Sequence, residues 1–239
     1  MGRVFLVRHA QASFLEANYD KLSATGEAQA RFLGEFWARH RLVFDRVCVG
    51  PRVRHCGTER IIREVYARCG ASYPQPVVMP EFDEFQGDAV LEKSLSALLK
   101  TNSRIRELHE ALQNSGGPTE RRREFQRLFQ AVIEMWVNGE LSADGVESWN
   151  DFSLRVNRGL ANFLSAGSSN ECLAIFTSGG PIAVSVQRAL GLSPQNTLKV
   201  AWMPRNCSYS EFLFSGDRFT LSTFNSFPHL DDPGLLTYR

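Results

Sequence analysis

Hydrophobic positions along the chain follow two rhythms. Residues 4–7, 47–49, 77–79 and 173–176 are short unbroken apolar runs, which predict buried strands of a sheet covered on both faces. Between them, apolar residues recur at helical spacing. Ala28, Leu33, Phe36 and Trp37 mark one helix; Ile61, Ile62, Val65 and Tyr66 mark another, with Gly70 as its stop. Strand and helix in alternation predict an α/β fold, a three-layer sandwich whose mostly parallel central sheet is flanked by helices. From 91 to about 141 no strand pattern occurs, and Phe125, Leu128, Phe129, Val132, Ile133 and Trp136 trace an i, i+3, i+4, i+7 stripe. This predicts a helical insertion in a single domain covering 1–239, divided into two parts by the turn-rich Asn114-Ser115-Gly116-Gly117-Pro118. A later helix is expected from about 149 to 163, ending in an Ala-Gly-Ser-Ser linker at 166–169. The last stretch reads as a hairpin, 209–214 and 219–224 joined through Ser215-Gly216-Asp217-Arg218, where Gly-Asp suits a type II′ turn.

Composition narrows the function classes. With 43% hydrophobic and 22% charged residues in 239, the chain can bury a sizeable core. Lys+Arg 27 against Asp+Glu 26 leaves a net charge of +1, so no field favours nucleic acid or an anionic membrane as partner. Arg121-Arg122-Arg123 is the one tight basic cluster, shorter than the patches of about 5–8 residues that bind polyanions, and is expected to be a solvated helix face. Five cysteines, an odd number without CxxC spacing, read as buried thiols in a reducing compartment. The sequence opens directly on an apolar strand pattern, and no apolar run approaches ~18 residues, so a cytoplasmic location is expected.

Chemistry gathers at the ends of the expected strands, where open α/β sheets hold ligands. Arg8-His9 closes the first strand, and Arg54 follows the second, ahead of Thr58 and an apolar helix. Guanidinium groups bind phosphate bidentately and stay charged, and an imidazole between two of them is a nucleophile suited to a phosphoryl group. Phe176-Thr177-Ser178-Gly179-Gly180-Pro181-Ile182 is a strand, a glycine turn and a helix start, whose free N–H groups can hold an anion. Ser178 and Gly179 are therefore phosphate-binding candidates. No His/Cys/Asp cluster has metal-ligand spacing, so neither metal nor cofactor is expected.

These segments resemble the histidine phosphatase superfamily, the clan of phosphoglycerate mutases and histidine acid phosphatases, over nearly the whole chain. Leu6-Val7-Arg8-His9-Ala10-Gln11-Ala12-Ser13 is similar to LVRHGQxS, with Ala10 for glycine, and the segment from Leu22 to Ala30 is similar to LTxxGxxQA. Gly50-Pro51-Arg52-Val53-Arg54 through Glu59 resembles SPLxRxxxTAE, with Gly50 for serine. Phe82-Asp83-Glu84-Phe85 resembles the LxE segment whose glutamate donates a proton, with Glu81 and Asp83 as rivals for that role. Glu147-Ser148 with Arg155-Val156, Asn206-Cys207-Ser208, and Phe224-Asn225 with His229-Leu230 complete the likeness. Where the family has VxHGG, this chain has Phe176-Thr177-Ser178-Gly179-Gly180, and the second essential histidine is replaced by Ser178. Among the five histidines, His55 is the one other with an obvious route to the pocket.

The resemblance implies a phosphomonoester hydrolase with a phosphohistidine intermediate: His9 attacks phosphorus, Arg8 and Arg54 hold its oxygens, and Glu84 protonates the leaving oxygen. Ser178 brings a hydrogen bond without charge. One missing donor at a developing negative charge costs about 10²–10³ in rate, so weakened activity is expected. The alternative is a non-catalytic binder of phosphorylated ligands, and a mutase-type phosphotransferase is a less favoured third reading. In each the partner is a phosphorylated small molecule, and a homo-oligomer is compatible with the sequence.

Overall fold

The computed structural model describes residues 1–13, 20–168 and 170–238, so Ser169 of the expected linker lies outside the described residues. They form two compact units, Met1–Glu84 with Arg155–Arg239, and Phe85–Leu154.

The first unit is built on a mixed sheet. Its strands are β1 (Gly2–Arg8), β2 (Arg46–Val49), β3 (Val77–Val78), β4 (Cys172–Thr177), β5 (Tyr209–Ser215) and β6 (Arg218–Ser226), in the order β3-β2-β4-β1-β5-β6. The first four run parallel; β5 and β6 are antiparallel additions on the β1 side. Every residue of β4 is buried, as its unbroken apolar run requires. In β5 buried and half-buried residues alternate along the strand, the period of 2 that a one-sided strand shows. β3 departs from expectation. The 77–79 run predicts a buried strand, yet Val77 and Val78 are 60% and 56% exposed, because β3 pairs on one side only and forms the edge of the sheet.

Helices α1 (Ala24–Arg39) and α2 (Val53–Arg68) follow the first two strands. Ser23 caps α1, its hydroxyl accepting from the Gly26 N–H at 3.0 Å. α2 stops just before Gly70, whose φ of +65° is the left-handed conformation that suits glycine. Phe5, Leu33, Trp37, Phe44, Tyr66 and Phe176 lie in one core cluster, with Phe5, Trp37 and Phe44 meeting edge-to-face at centroid distances of 5.1–6.0 Å.

The second unit is helical: α3 (Gly87–Thr101), α4 (Ser103–Gln113), α5 (Pro118–Val137) and the start of α6 (Trp149–Ser165). The expected stripe on α5 is buried except at Phe125, which is half-buried. Arg121, Arg122 and Arg123 are exposed. The segment has one more break than the turn-rich residues 114–118 indicate. Asn102 takes an extended conformation, and its side chain accepts from the Ile105 N–H at 3.1 Å, ending α3 and capping α4. α7 (Gly179–Leu190) and α8 (Pro194–Ala201) return to the first unit. All five cysteines are free thiols; Cys48, Cys172 and Cys207 are buried, Cys69 is exposed. No helix among the described residues is long and apolar enough to cross a membrane.

Candidate active site

The strand order makes the site. β4 lies between β1 and β2, with Arg8 in register with Thr177 and Val49 with Phe176. Residues far apart in sequence therefore leave the sheet at the same edge: His9 after β1, Gly50 and α2 after β2, Ser178 after β4.

The backbone at His9 is clamped from several sides. Its N–H donates to the Thr177 carbonyl at 2.8 Å, and its carbonyl accepts from the Cys207 N–H and the Asn206 side chain at 3.2 and 3.3 Å. Cys207 holds a φ of +60° to do so, an uncommon conformation for a non-glycine residue. The Ala10 N–H donates to the Thr58 hydroxyl, which donates in turn to the Arg54 carbonyl, joining this loop to the first turn of α2. Two residues of the LTxxGxxQA-like segment serve the same loop. A Cβ on Gly26 would lie 2.1 Å from the Gln11 carbonyl oxygen. The fully buried Gln29 accepts from the Gln11 N–H and donates to Leu235 and Thr237 near the C-terminus.

The His9 imidazole is 7% exposed, and its Nδ1 lies 2.8 Å from the Ala10 carbonyl. A carbonyl only accepts, so Nδ1 carries the proton and Nε2 keeps its lone pair. Burial, then the charges of Arg54 and Arg8, hold its pKa well below the usual imidazole range, so the ring is neutral at pH 7. Arg8 donates to the Pro204 carbonyl. Arg54, 8% exposed, donates from one guanidinium nitrogen to Asp20 at 2.7 Å, while its buried Nε has no hydrogen-bond partner among the described residues. Asp20 also accepts from the Val53 N–H at the start of α2. The sequence gives no sign of Asp20, since nothing local links it to residues 33 and 34 positions away.

Ser178 stands at the N-terminus of α7, yet its hydroxyl caps nothing. It lies 2.7 Å from Nε2 of His55, a fully buried histidine whose ring centroid is 5.7 Å from that of His9. Gly179 opens α7, where a Cβ would meet the Ala201 carbonyl oxygen at 2.6 Å; its lack of a side chain serves helix packing. Glu84 is half-buried, and its Oε2 accepts from the Gly180 N–H at 3.2 Å. Arg155 on α6 fixes the loop before it, donating to the carbonyls of Pro80, Glu81 and Asp83 at 2.9–3.2 Å. The Thr177 hydroxyl holds the Phe82 carbonyl at 2.7 Å. Of the two rivals to Glu84, Asp83 is engaged by Arg52 and by the Glu84 N–H, and the Glu81 side chain packs at Gly159.

The remaining histidines lie elsewhere: His40 caps the end of α1, His109 is on α4 in the second unit, and His229 packs between Phe36 and Tyr209. Among the described residues, no group of three or more His, Cys, Asp or Glu side chains could hold a metal ion.

Solved structures share this architecture at low identity. The chain is similar to a phosphoserine phosphatase from Entamoeba histolytica in complex with 3-phosphoglyceric acid, at TM-score 0.62 and 16% identity over 96% of this chain and 100% of that one. It is similar to an alpha-ribazole phosphatase from Shigella flexneri, at TM-score 0.60 and 17% identity over 94% and 96%. A mycobacterial glucosyl-3-phosphoglycerate phosphatase in complex with VO3 gives TM-score 0.58 and 17% identity over 94% and 98%. A comparison with curated proteins gives no match. The family model of the histidine phosphatase superfamily (branch 1) matches residues 91–226, more than half of the chain and downstream of Arg8, His9, Arg54 and Glu84. On that match, and with a fold shared with these phosphatases, the chain belongs to the histidine phosphatase superfamily.

Proposed function

We propose that this chain hydrolyses phosphomonoesters of small molecules through a phosphohistidine on His9, with turnover lowered by the missing second histidine. The observation that carries this reading is the state of His9: buried, neutral, its Nδ1–H tied to Ala10 so that Nε2 keeps its lone pair, with two arginine charges beside it. The unpartnered Nε of Arg54 supports it further, since a buried guanidinium N–H is satisfied by an oxyanion.

In the first step Nε2 of His9 attacks phosphorus in line and the bond to the leaving oxygen breaks. Glu84 transfers its carboxyl proton to that oxygen. Arg8 and Arg54 neutralise the equatorial oxygens, and the Ser178 O–H donates a hydrogen bond to one of them. Water then attacks the phosphohistidine, Glu84 takes its proton back, and cleavage of the N–P bond releases phosphate and restores neutral His9. Catalysis here is mostly positioning and electrostatics, which the arginines supply without a metal.

The second reading, a non-catalytic binder of phosphorylated ligands, draws on Asp20, whose carboxylate already holds Arg54 where an oxyanion would sit. Rapid quench into alkaline detergent after mixing with a labelled aryl phosphate separates the two. An acid-labile phosphoenzyme that disappears in His9→Ala supports hydrolysis; wild-type turnover in His9→Ala refutes it. Vanadate binding with neither turnover nor phosphoenzyme selects the binder.

A further inference from the structure

We propose that His55 is a positioning residue of this site, holding the Ser178 hydroxyl through its Nε2–H so that the hydroxyl proton is free for a phosphoryl oxygen. The proposal rests on the hydrolase reading only for the identity of that oxyanion.

His55 is fully buried on the first turn of α2, one residue past Arg54, and among the described residues its imidazole is hydrogen-bonded to Ser178. The direction of that bond follows from the other ring nitrogen. Nδ1 lies against Gly50 with no partner at hydrogen-bond geometry. A buried N–H without an acceptor is the rarer and costlier defect, whereas a bare lone pair is better tolerated. The proton therefore belongs on Nε2, and the Ser178 oxygen accepts it. A hydroxyl has one proton and two lone pairs, so once Ser178 accepts from His55 its own proton points away from the imidazole. Burial first, then the charges of Arg54 and Arg52, hold His55 neutral, against the pull of the Gly50 backbone, which meets the ring outside hydrogen-bond geometry. His55 thus supplies direction and not charge.

The ring has its place because of position 50. A Cβ on Gly50 would lie 2.4 Å from Nδ1 of His55 and 2.6 Å from the Phe82 carbonyl oxygen. Gly50, where the resembling segment has serine, and Ser178, where it has histidine, both border this imidazole. The three residues form a matched set in which an imidazole reaches the β4 turn from α2. The same geometry denies Ser178→His the space it needs, because the His55 ring fills it.

Two measurements test this. In the first, which needs no activity, long-range ¹H–¹⁵N imidazole spectra read the tautomers. A proton on Nε2 of His55, moved or exposed to exchange by Ser178→Ala, is expected; a proton on Nδ1 overturns the proposal. In the second, kcat/KM for p-nitrophenyl phosphate and Kd for vanadate are measured on His55→Ala, His55→Gln, Ser178→Ala, the double alanine variant and His55→Ala/Ser178→His. His55→Ala should lose about 3- to 10-fold, the value of one uncharged hydrogen bond. The double alanine variant should lose no more than Ser178→Ala alone. His55→Gln, with a donor amide, should recover most of the loss, and so should His55→Ala/Ser178→His. Additive losses, or His55→Ala equal to wild type, overturn the proposal. Wild type without turnover or vanadate binding ends the hydrolase reading, and the tautomer spectra then decide His55 alone. Should His55→Ala not fold, His55→Gln and the spectra carry the decision.

Discussion

His229 offers a quantitative test of how this fold treats its buried imidazoles. It is 7% exposed, between the rings of Phe36 and Tyr209 at 6.2 and 6.4 Å, and among the described residues neither ring nitrogen has a partner at hydrogen-bond geometry. Burial lowers its pKa from 6.5 to about 4, with a small opposing pull from the Cys207 backbone. The unfolded chain therefore takes up a proton near pH 6.5 that the folded chain refuses until about pH 4. The contribution to stability is complete above pH 6.5 and is lost as pH falls from there to about 4. Each tenfold change in proton affinity is worth about 1.4 kcal/mol, so the whole window amounts to about 3 kcal/mol, or ~6–12 °C in Tm for a protein of this size. His9 and His55 are shifted in the same direction by burial and nearby arginines and steepen the same slope. Wild type minus His229→Phe isolates one residue. Urea unfolding at half-unit steps from pH 8 to 4.5 should show the variant losing about 2.5 kcal/mol less than wild type over that range. Parallel curves for the two proteins would refute the reasoning, because His229 would then be protonated equally in both states.

Two substitutions probe the site from its supports. Arg155→Ala removes the donor to the Pro80, Glu81 and Asp83 carbonyls; with Glu84 displaced, kcat should fall about 10- to 100-fold while vanadate affinity holds, and a rise in KM alone would contradict this. Asp20→Asn weakens the hold on Arg54 but keeps an acceptor for the Val53 N–H. Isothermal titration should show vanadate binding up to about 5-fold tighter, the range of a partly exposed ion pair; weaker binding would mean that Asp20 aims Arg54 instead of competing for it.

Much was legible in the sequence because it is local. Unbroken apolar runs gave β1, β2 and β4, and 3.6-residue spacing gave α1, α2 and α5, since periodicity reports which face of an element is buried. Arg8 and His9 were legible from their place at a strand end. Other features were not local. β3 has the same apolar residues as a buried strand but pairs on one side only, and pairing is decided by the rest of the sheet. Asn102 looks unremarkable until its side chain caps α4.

The site divides in the same way. The sequence by itself determined the residue types suited to a phosphoryl group: two guanidiniums and an imidazole near strand ends, with a carboxylate at 84 and a serine in place of a second histidine singled out by the family resemblance. Only the tertiary structure decided which groups meet. The insertion of β4 between β1 and β2 carries Ser178 to within 2.7 Å of His55, 123 residues away. It also brings Gly180 to Glu84, 96 residues away, while the packing of the loop before α1 on the start of α2 joins Asp20 to Arg54. Sequence motifs record what each position can do chemically, whereas a hydrogen bond between distant positions exists only when packing brings donor and acceptor within about 3 Å with little conformational freedom left to lose.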